Sequence, residues 1–597
     1  MKRLKEILIN SIKGISLAGS RFPMTVVNLL AAASIIFRLI AMDEVPSVML
    51  QKLIFTFVVG AVFGMVAQFA VERFHKLSGK RVLVYVVALL LLVGYFLILL
   101  PAPEMSAEIT IRSLVAVFAL VCMLLWIPPY KSEVNFNLVA LIHFKSIFTA
   151  VLYSAVLSAG IAAIVGTIDI LLFTVNNDTY AYTMTVIWVV FAPVYYLSLL
   201  PRFNSESEAD QRMIKHASSY PKFLDILVSN IVIPLISVYT LVLIAYFIKI
   251  LSTLTWPSGQ VGPMVLIYSI AGLLIFVLSS LLENRFVLFY RKIFPKILIP
   301  IVIMQLISVG IRLNTYGVTE SRYYIAIFGV FSIIVGVLLS FSTVSKNGRI
   351  ALLAAIFAII SIIPPVDAFT VSRRSQINRI QSILENEGML IDGKIIKKED
   401  ASEYTKLETT NILDYLERSS SLEYIDWLPK NFTIYNDFTA TFGFEPTYSI
   451  YKNGDQRYIN VLLDTQQPLP VSGYDVLLNT FVGRYMDEKE IKDLNFELNG
   501  KNYRLKVNRI SNDEVRVSIL DSLGTELVGT GLNEFAKGII GKTNVMKEVL
   551  PPKEMSFDVI KNEYKLKIIF QNISYTYGRD SDSGTDYAIY VLFATSK

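Results

Sequence analysis

The stretch IALLAAIFAIISIIPPVDAFTVSRRSQ, residues 350–376, is where the chain changes its solvent. Up to Ile363 it is apolar enough for lipid; the run stops at Pro364-Pro365, and no comparable apolar segment follows before Lys597. Working back from this point, the 597 residues carry 54% hydrophobic and only 17% charged side chains, with a mean hydropathy of +0.53. Soluble domains carry about 25% charge, so the composition excludes an ordinary soluble enzyme and a disordered chain. A single cysteine, Cys122, excludes a disulfide framework and any cysteine-based zinc or iron–sulfur centre.

A hydrocarbon layer ~30 Å thick needs about 20 helical residues. Such runs fall near residues 22–41, 53–71, 82–100, 110–127, 146–173, 182–200, 224–251, 263–282, 297–312, 323–341 and 350–363, about eleven spans, of which the ninth and eleventh are short. Lys and Arg accumulate on cytoplasmic loops. Alternate loops, beginning with the N-terminal tail, hold 21 of them against 5 on the other side. A miscounted span would scramble that alternation. The N-terminus is therefore expected in the cytoplasm and everything beyond residue 365 outside. From Val371 onward the net charge is −5, whereas the preceding part carries +11, placed to meet anionic lipid. Nucleic acid is not needed to explain the basic pI. The first span lacks a small-residue cleavage pattern and is read as a retained helix.

Beyond residue 371 the pattern is that of a water-soluble chain. Ile377, Ile380, Ile383 and Leu384 form one helical stripe ahead of Gly388, and Asp392-Gly393 marks a hairpin. A second amphipathic helix is expected over about 406–418. Strands are expected near 458–463, 494–498, 503–507, 515–520, 564–570 and 587–593, with Asn499-Gly500 as a hairpin turn. The organisation expected is a cytoplasmic segment (1–21), a multi-pass α-helical membrane domain (22–365), a helical linker opening the outer module (366–430), and a β-rich, sandwich-like α+β extracytoplasmic domain (431–597).

Several segments resemble a bacterial multi-pass family known as domain of unknown function 4153. They are Arg21-Phe22-Pro23, Asn135-Phe136-Asn137, the stretch 168–173, and Tyr220-Pro221-Lys222-Phe223-Leu224 with Pro234, Tyr239, Tyr246, Lys249, Trp256-Pro257 and Gly259; then Gln376, Arg379, Leu384, Asn386, Gly388 and Asp392-Gly393. The resemblance covers roughly residues 20–420 and implies an integral membrane protein of the bacterial envelope. It implies no activity.

Ionisable groups at membrane depth are functional candidates. Asp169 and Lys249 both fall within ~6 Å of the expected outer surface, where an ion pair is allowed, and Tyr246 shares a helical face with Lys249. Arg38, Arg112 and Arg312 occupy similar depths. Together they form a candidate ligand or ion-pair site that could hold a lipid phosphate or another anion. Equally, each could snorkel to the headgroups. Trp256-Pro257 reads as an interface anchor. Pro193 and Pro234 interrupt spans six and seven as structural kinks. The P-loop-like stretch 536–543 lacks its first glycine and follows a helical pattern. His75, His143 and His216 fall in inner loops without ligand spacing, and Asp580, Asp582 and Asp586 lie in a polar loop without EF-hand spacing. No catalytic residue, metal or cofactor is expected.

The leading expectation is a membrane platform displaying an outward β-rich binding module, with the bilayer, an anionic lipid or envelope polymer, or a protein as partner. The alternatives are a transporter or lipid-handling protein using the outer charged site, and a membrane transferase acting on a lipid-linked substrate.

Overall fold

The structure, a computed structural model, describes residues 14–42, 47–176, 178–253, 261–447, 457–483, 486, 493–511, 514–540, 547–577 and 584–595. Two compact units are formed: one by residues 1–379 with 416–425, the other by 380–415 with 426–597.

Among the described residues, ten helices of the first unit are long and apolar enough to cross a membrane: α1 (Pro23–Met42), α2 (Val48–Arg73), α3 (Arg81–Leu99), α4 (Ala107–Trp126), α5 (Phe136–Leu171), α6 (Asp178–Ser198), α7 (Lys222–Thr253), α8 (Val261–Leu281), α9 (Arg285–Tyr316) and α10 (Glu320–Phe341). The ninth run, short in sequence, lies within a helix of 32 residues that keeps Pro295 and Pro300 inside it. The eleventh, α11 (Gly348–Ile360), has only 13 residues. Its two ends nevertheless meet opposite ends of the bundle. At its start, Asn347 Nδ2 donates to Asn137 Oδ1 at the beginning of α5 and to Ser280 Oγ at the end of α8. Past its end, the Ile362 carbonyl accepts from Arg112 near the beginning of α4. This short helix thus runs between the two ends of the bundle beside α4, with which it shares the small-residue cluster Ala119, Cys122, Ala351, Ala355 and Ala358. Small side chains let helix backbones approach closely where water exerts no hydrophobic drive. We call the end of the bundle holding Arg21 proximal and the end holding Arg112 distal.

Both interrupting prolines sit just behind a π-helical turn. Residues Val186–Phe191 in α6 and Leu227–Val232 in α7 are π-helical, and Ala192 and Ile233 donate to Ile187 and Val228, five residues back. Proline at 193 or 234 can donate no bond and crowds the carbonyl four residues earlier. Widening the turn beforehand removes that clash, so both helices continue instead of breaking.

Asp367 opens helix α12 (Ala368–Asn386): its Oδ1 accepts the backbone N–H of Phe369 and of Thr370. In the second unit, Gly388 and the pair Asp392-Gly393 have positive φ, and the turn joins β1 (Leu390–Ile391) to β2 (Lys394–Ile395). Helices α13 (Glu403–Arg418) and α14 (Ile434–Phe442) follow, with only Leu416–Arg418 of α13 falling in the first unit. The strands are β3 (Arg457–Leu463), β4 (Val476–Val482), β5 (Leu494–Leu498), β6 (Lys501–Ser511), β7 (Glu514–Leu520), β8 (Glu526–Gly531), β9 (Lys547–Leu550), β10 (Ser556–Lys561), β11 (Tyr564–Tyr577) and β12 (Gly584–Thr595). They form a six-stranded sheet in the order β4-β12-β11-β3-β9, with β10 also on β11, and a four-stranded sheet β5-β6-β7-β8. Pairing is antiparallel throughout except β3 with β9. One core joins the sheets, with Phe593 of β12 5.4 Å from Tyr503 of β6 between ring centroids. The P-loop-like stretch begins on helix α15 (Asn533–Ile540), whose Ala536, Ile539 and Ile540 are buried in that core; Gly541–Thr543, like Asp580 and Asp582, lie outside the described residues.

Candidate functional site

The expected ring of outer charges is not what the structure assembles. Asp169 sits near the end of α5, in a half of that helix whose neighbours Ile170 and Leu171 are largely exposed, and its Oδ1 accepts the N–H of Val175 at 2.6 Å. It therefore closes its own helix end. Lys249 is exposed, and it forms no ion pair with Asp169 among the described residues. Tyr246 packs against Phe247, 6.1 Å between rings. Arg38 is exposed on α1, and Arg312 is half-buried on α9. Trp256 and Pro257 lie outside the described residues.

Arg112 behaves differently. Its Nη2 lies 2.7 Å from both Glu108 and Asp367, its Nη1 donates to the Ile362 carbonyl at 2.8 Å, and its guanidinium lies 5.4 Å from the Phe369 ring centroid. Glu108 also accepts from Arg373 at 2.8 Å, and Arg373 donates to Ser421 and sits 3.8 Å over Tyr424. This distal cluster ties the start of α4 to the start of α12. Among the described residues, Arg112 Nε and Asp367 Oδ2 keep no partner. The sequence signal that could have found Asp367 is local: an aspartate ahead of a helical stripe is an N-cap.

At the proximal end, Arg21 grips both oxygens of Glu72 at 2.8 Å and donates to the carbonyls of Leu200 and Pro201. Gln68 supports Glu72 from one turn away, and Tyr85 donates to Gln68. Asn135 caps α5, which thereby starts ten residues before the apolar run. That corrects the placement of His143: it lies inside α5, not in a loop, and is 3% exposed. Its Nδ1 is 2.7 Å from the Tyr196 hydroxyl, Phe203 stacks on its ring, and Nε2 meets no partner among the described residues. No cluster of three or more potential metal ligands occurs among the described residues.

Between these two polar layers lies a cavity of about 710 Å³ walled by α2, α4, α5, α6, α8, α10 and α11. His143 and Tyr196 line it proximally, and Tyr324 and Ser361 line it distally. Along α4 the lining runs from Val115 to Leu125, and along α8 from Leu266 to Leu278, roughly 17 Å of depth at 1.5 Å per residue. Among the described residues, no Asp, Glu, Lys or Arg lines it. Phe118, Ile147 and Leu274 line it and are also 52%, 49% and 49% exposed, so it opens sideways between α4, α5 and α8. A smaller space of about 360 Å³ borders the π-helical turn of α6.

The architecture is that of a multi-pass membrane protein with a β-rich C-terminal region. The chain belongs to the family described as domain of unknown function (DUF4153), whose profile matches residues 25–393. It is also similar to the uncharacterized protein PM1469 of Pasteurella multocida (strain Pm70), 26% identical over 160 residues, a stretch covering 26% of this chain and 26% of that protein. No solved structure matches.

Proposed function

We propose that the protein is a lipid-handling protein of a bacterial cytoplasmic membrane, which holds an apolar chain drawn from the bilayer inside its spanning domain and displays a β-rich binding module on the outer side. The observation that carries this reading is the cavity. Its volume falls in the range of small-molecule sites, about 300–1,000 Å³, its wall is apolar, and its mouth faces hydrocarbon. The excess of Lys and Arg on proximal loops supports a cytoplasmic proximal end, and the separate core of the β-rich unit supports its role as a module.

An anionic headgroup held by outer cations is less well supported, because Arg112 is already matched by Glu108 and Asp367. The transferase reading lacks a carboxylate or nucleophile pair facing the cavity among the described residues.

The test is extraction of apolar compounds from the full chain purified in detergent, compared with the variant Ala354→Phe, which fills the cavity wall on α11. The expected result is about one long-chain compound per wild-type chain and its loss in the variant. Equal recovery from both proteins would overturn the reading.

A further inference from the structure

The cavity is apolar along its length and carries polar side chains at both ends, His143 and Tyr196 proximally and Tyr324 and Ser361 distally; His143 is buried, 3% exposed. A neutral imidazole carries one donor and one acceptor nitrogen. Tyr196 engages Nδ1 of His143, while Phe69 (edge-on, 5.9 Å) and Phe203 (stacked, 5.9 Å) enclose the ring. Whichever tautomer is present, Nε2 is left with unmet hydrogen-bonding capacity in a side chain 3% exposed. Leaving a buried polar group unpaired costs about 1–3 kcal/mol, and the side chain lines the cavity.

We propose that the occupant is a single-chain amphiphile whose uncharged oxygen function binds His143 Nε2 at the proximal end of the cavity and whose chain runs toward Tyr324 and Ser361. This rests on the lipid-handling reading above and adds the class and orientation of the ligand. The head is uncharged because no Lys or Arg among the described residues lines the cavity to match a phosphate or carboxylate, and burying an unpaired charge is far costlier than burying a polar group. A hydroxyl, an ester carbonyl or a protonated carboxyl satisfies the site. The chain is single because roughly 17 Å of depth and about 710 Å³ match one extended chain lying along the helices. Entry is lateral, past Phe118, Ile147 and Leu274.

The experiment uses the full chain in nanodiscs and two photoreactive monoacylglycerols of equal chain length. One carries a diazirine beside the glycerol, the other at the chain terminus. The head-side probe is expected to label residues 136–147 or 194–203, and the tail-side probe residues 115–118, 324–328 or 357–361. The reverse pattern would overturn the head placement while leaving the cavity reading intact; labelling in none of these segments would overturn both. A lysophosphatidic acid of the same chain length is expected to compete at least about tenfold more weakly than unlabelled monoacylglycerol, and equal competition would overturn the uncharged head. His143→Phe should weaken monoacylglycerol binding by about fivefold, and His143→Gln, which keeps a donor and an acceptor, by less. If His143→Phe does not fold, the wild-type labelling pattern decides alone.

Discussion

Arg21 at the proximal end and Arg112 at the distal end each bring a guanidinium to a carboxylate and to a backbone carbonyl beyond the end of another helix. Arg21 is complete: Nε, Nη1 and Nη2 are all bonded, and Glu72 accepts on both oxygens. Arg112 is not, since its own Nε and Asp367 Oδ2 keep no partner among the described residues. The difference shows where buried charge fastens helices and where a carboxylate has a second task. Glu72 only closes the pair. Asp367 also starts α12: its Oδ1 accepts from both the cap N–H groups and Arg112, so the pair is held through one oxygen and no bidentate fork forms.

The sharpest way to break this contrast is Arg21→Ala, which strands Glu72, 15% exposed, among apolar helices. Breaking a buried pair costs about 3–5 kcal/mol, so thermal unfolding of the detergent-solubilised full chain should show a large loss. A shift no greater than that of an exposed surface pair would remove the proximal clamp from the account. Next in size is Asp367→Ala, about 2–3 kcal/mol, because the cap is lost with the pair while Glu108 still holds Arg112. Asp367→Asn should recover about 1 kcal/mol of that by keeping the cap; equal losses for the two variants would show that the charge alone matters. Arg373→Ala should cost about 1 kcal/mol through its partly exposed contacts with Glu108 and Tyr424, read in the same unfolding assay.

The smallest effect provides a contrast in the second unit. Glu387 accepts from Lys398, Ser402 and Thr405, and these bonds, with Lys398 foremost, hold its carboxyl at about 2 instead of 4.5. A depressed carboxyl stabilises the fold above its unfolded value, and that contribution disappears as pH falls through the folded value. Stability of the full chain should therefore decline between about pH 4.5 and 2, more gently in Glu387→Gln. Identical acid profiles in the two proteins would show that this carboxylate is not linked to folding.

The residues that carry the family resemblance have architectural tasks. Arg21 clamps α2, Asn135 caps α5, and Asn137 donates to the Val344 carbonyl. Tyr220 reaches the Leu278 carbonyl, and Gln376 donates to Tyr316 and Val318. They join helix ends, so the motif marks how the bundle is fastened and says little about what it holds. The cavity and its histidine were hidden from sequence reading for a related reason. The apolar run of the fifth span starts at residue 146, and only the Asn135 cap extends the helix back through His143. Strands β4, β8, β9 and β10 were also missed: Asn479 and Thr480 interrupt the apolar pattern of β4, Gly529 and Gly531 that of β8, and β9 has only four residues.

By itself, the sequence determined whatever depends on chain-local free energy. Hydrocarbon selects apolar runs residue by residue, loop charge follows their alternation, and Asp392-Gly393 and Asn499-Gly500 adopt positive φ wherever they occur in a tight turn. Only the tertiary structure decided which arginine meets which carboxylate, that a 13-residue helix runs between the two ends of the bundle, and that seven helices leave a space between them. Those outcomes depend on the rotation and lateral packing of helices against one another. In lipid, every apolar face is equally at home outside, so packing complementarity sets the arrangement and hydropathy cannot reveal it.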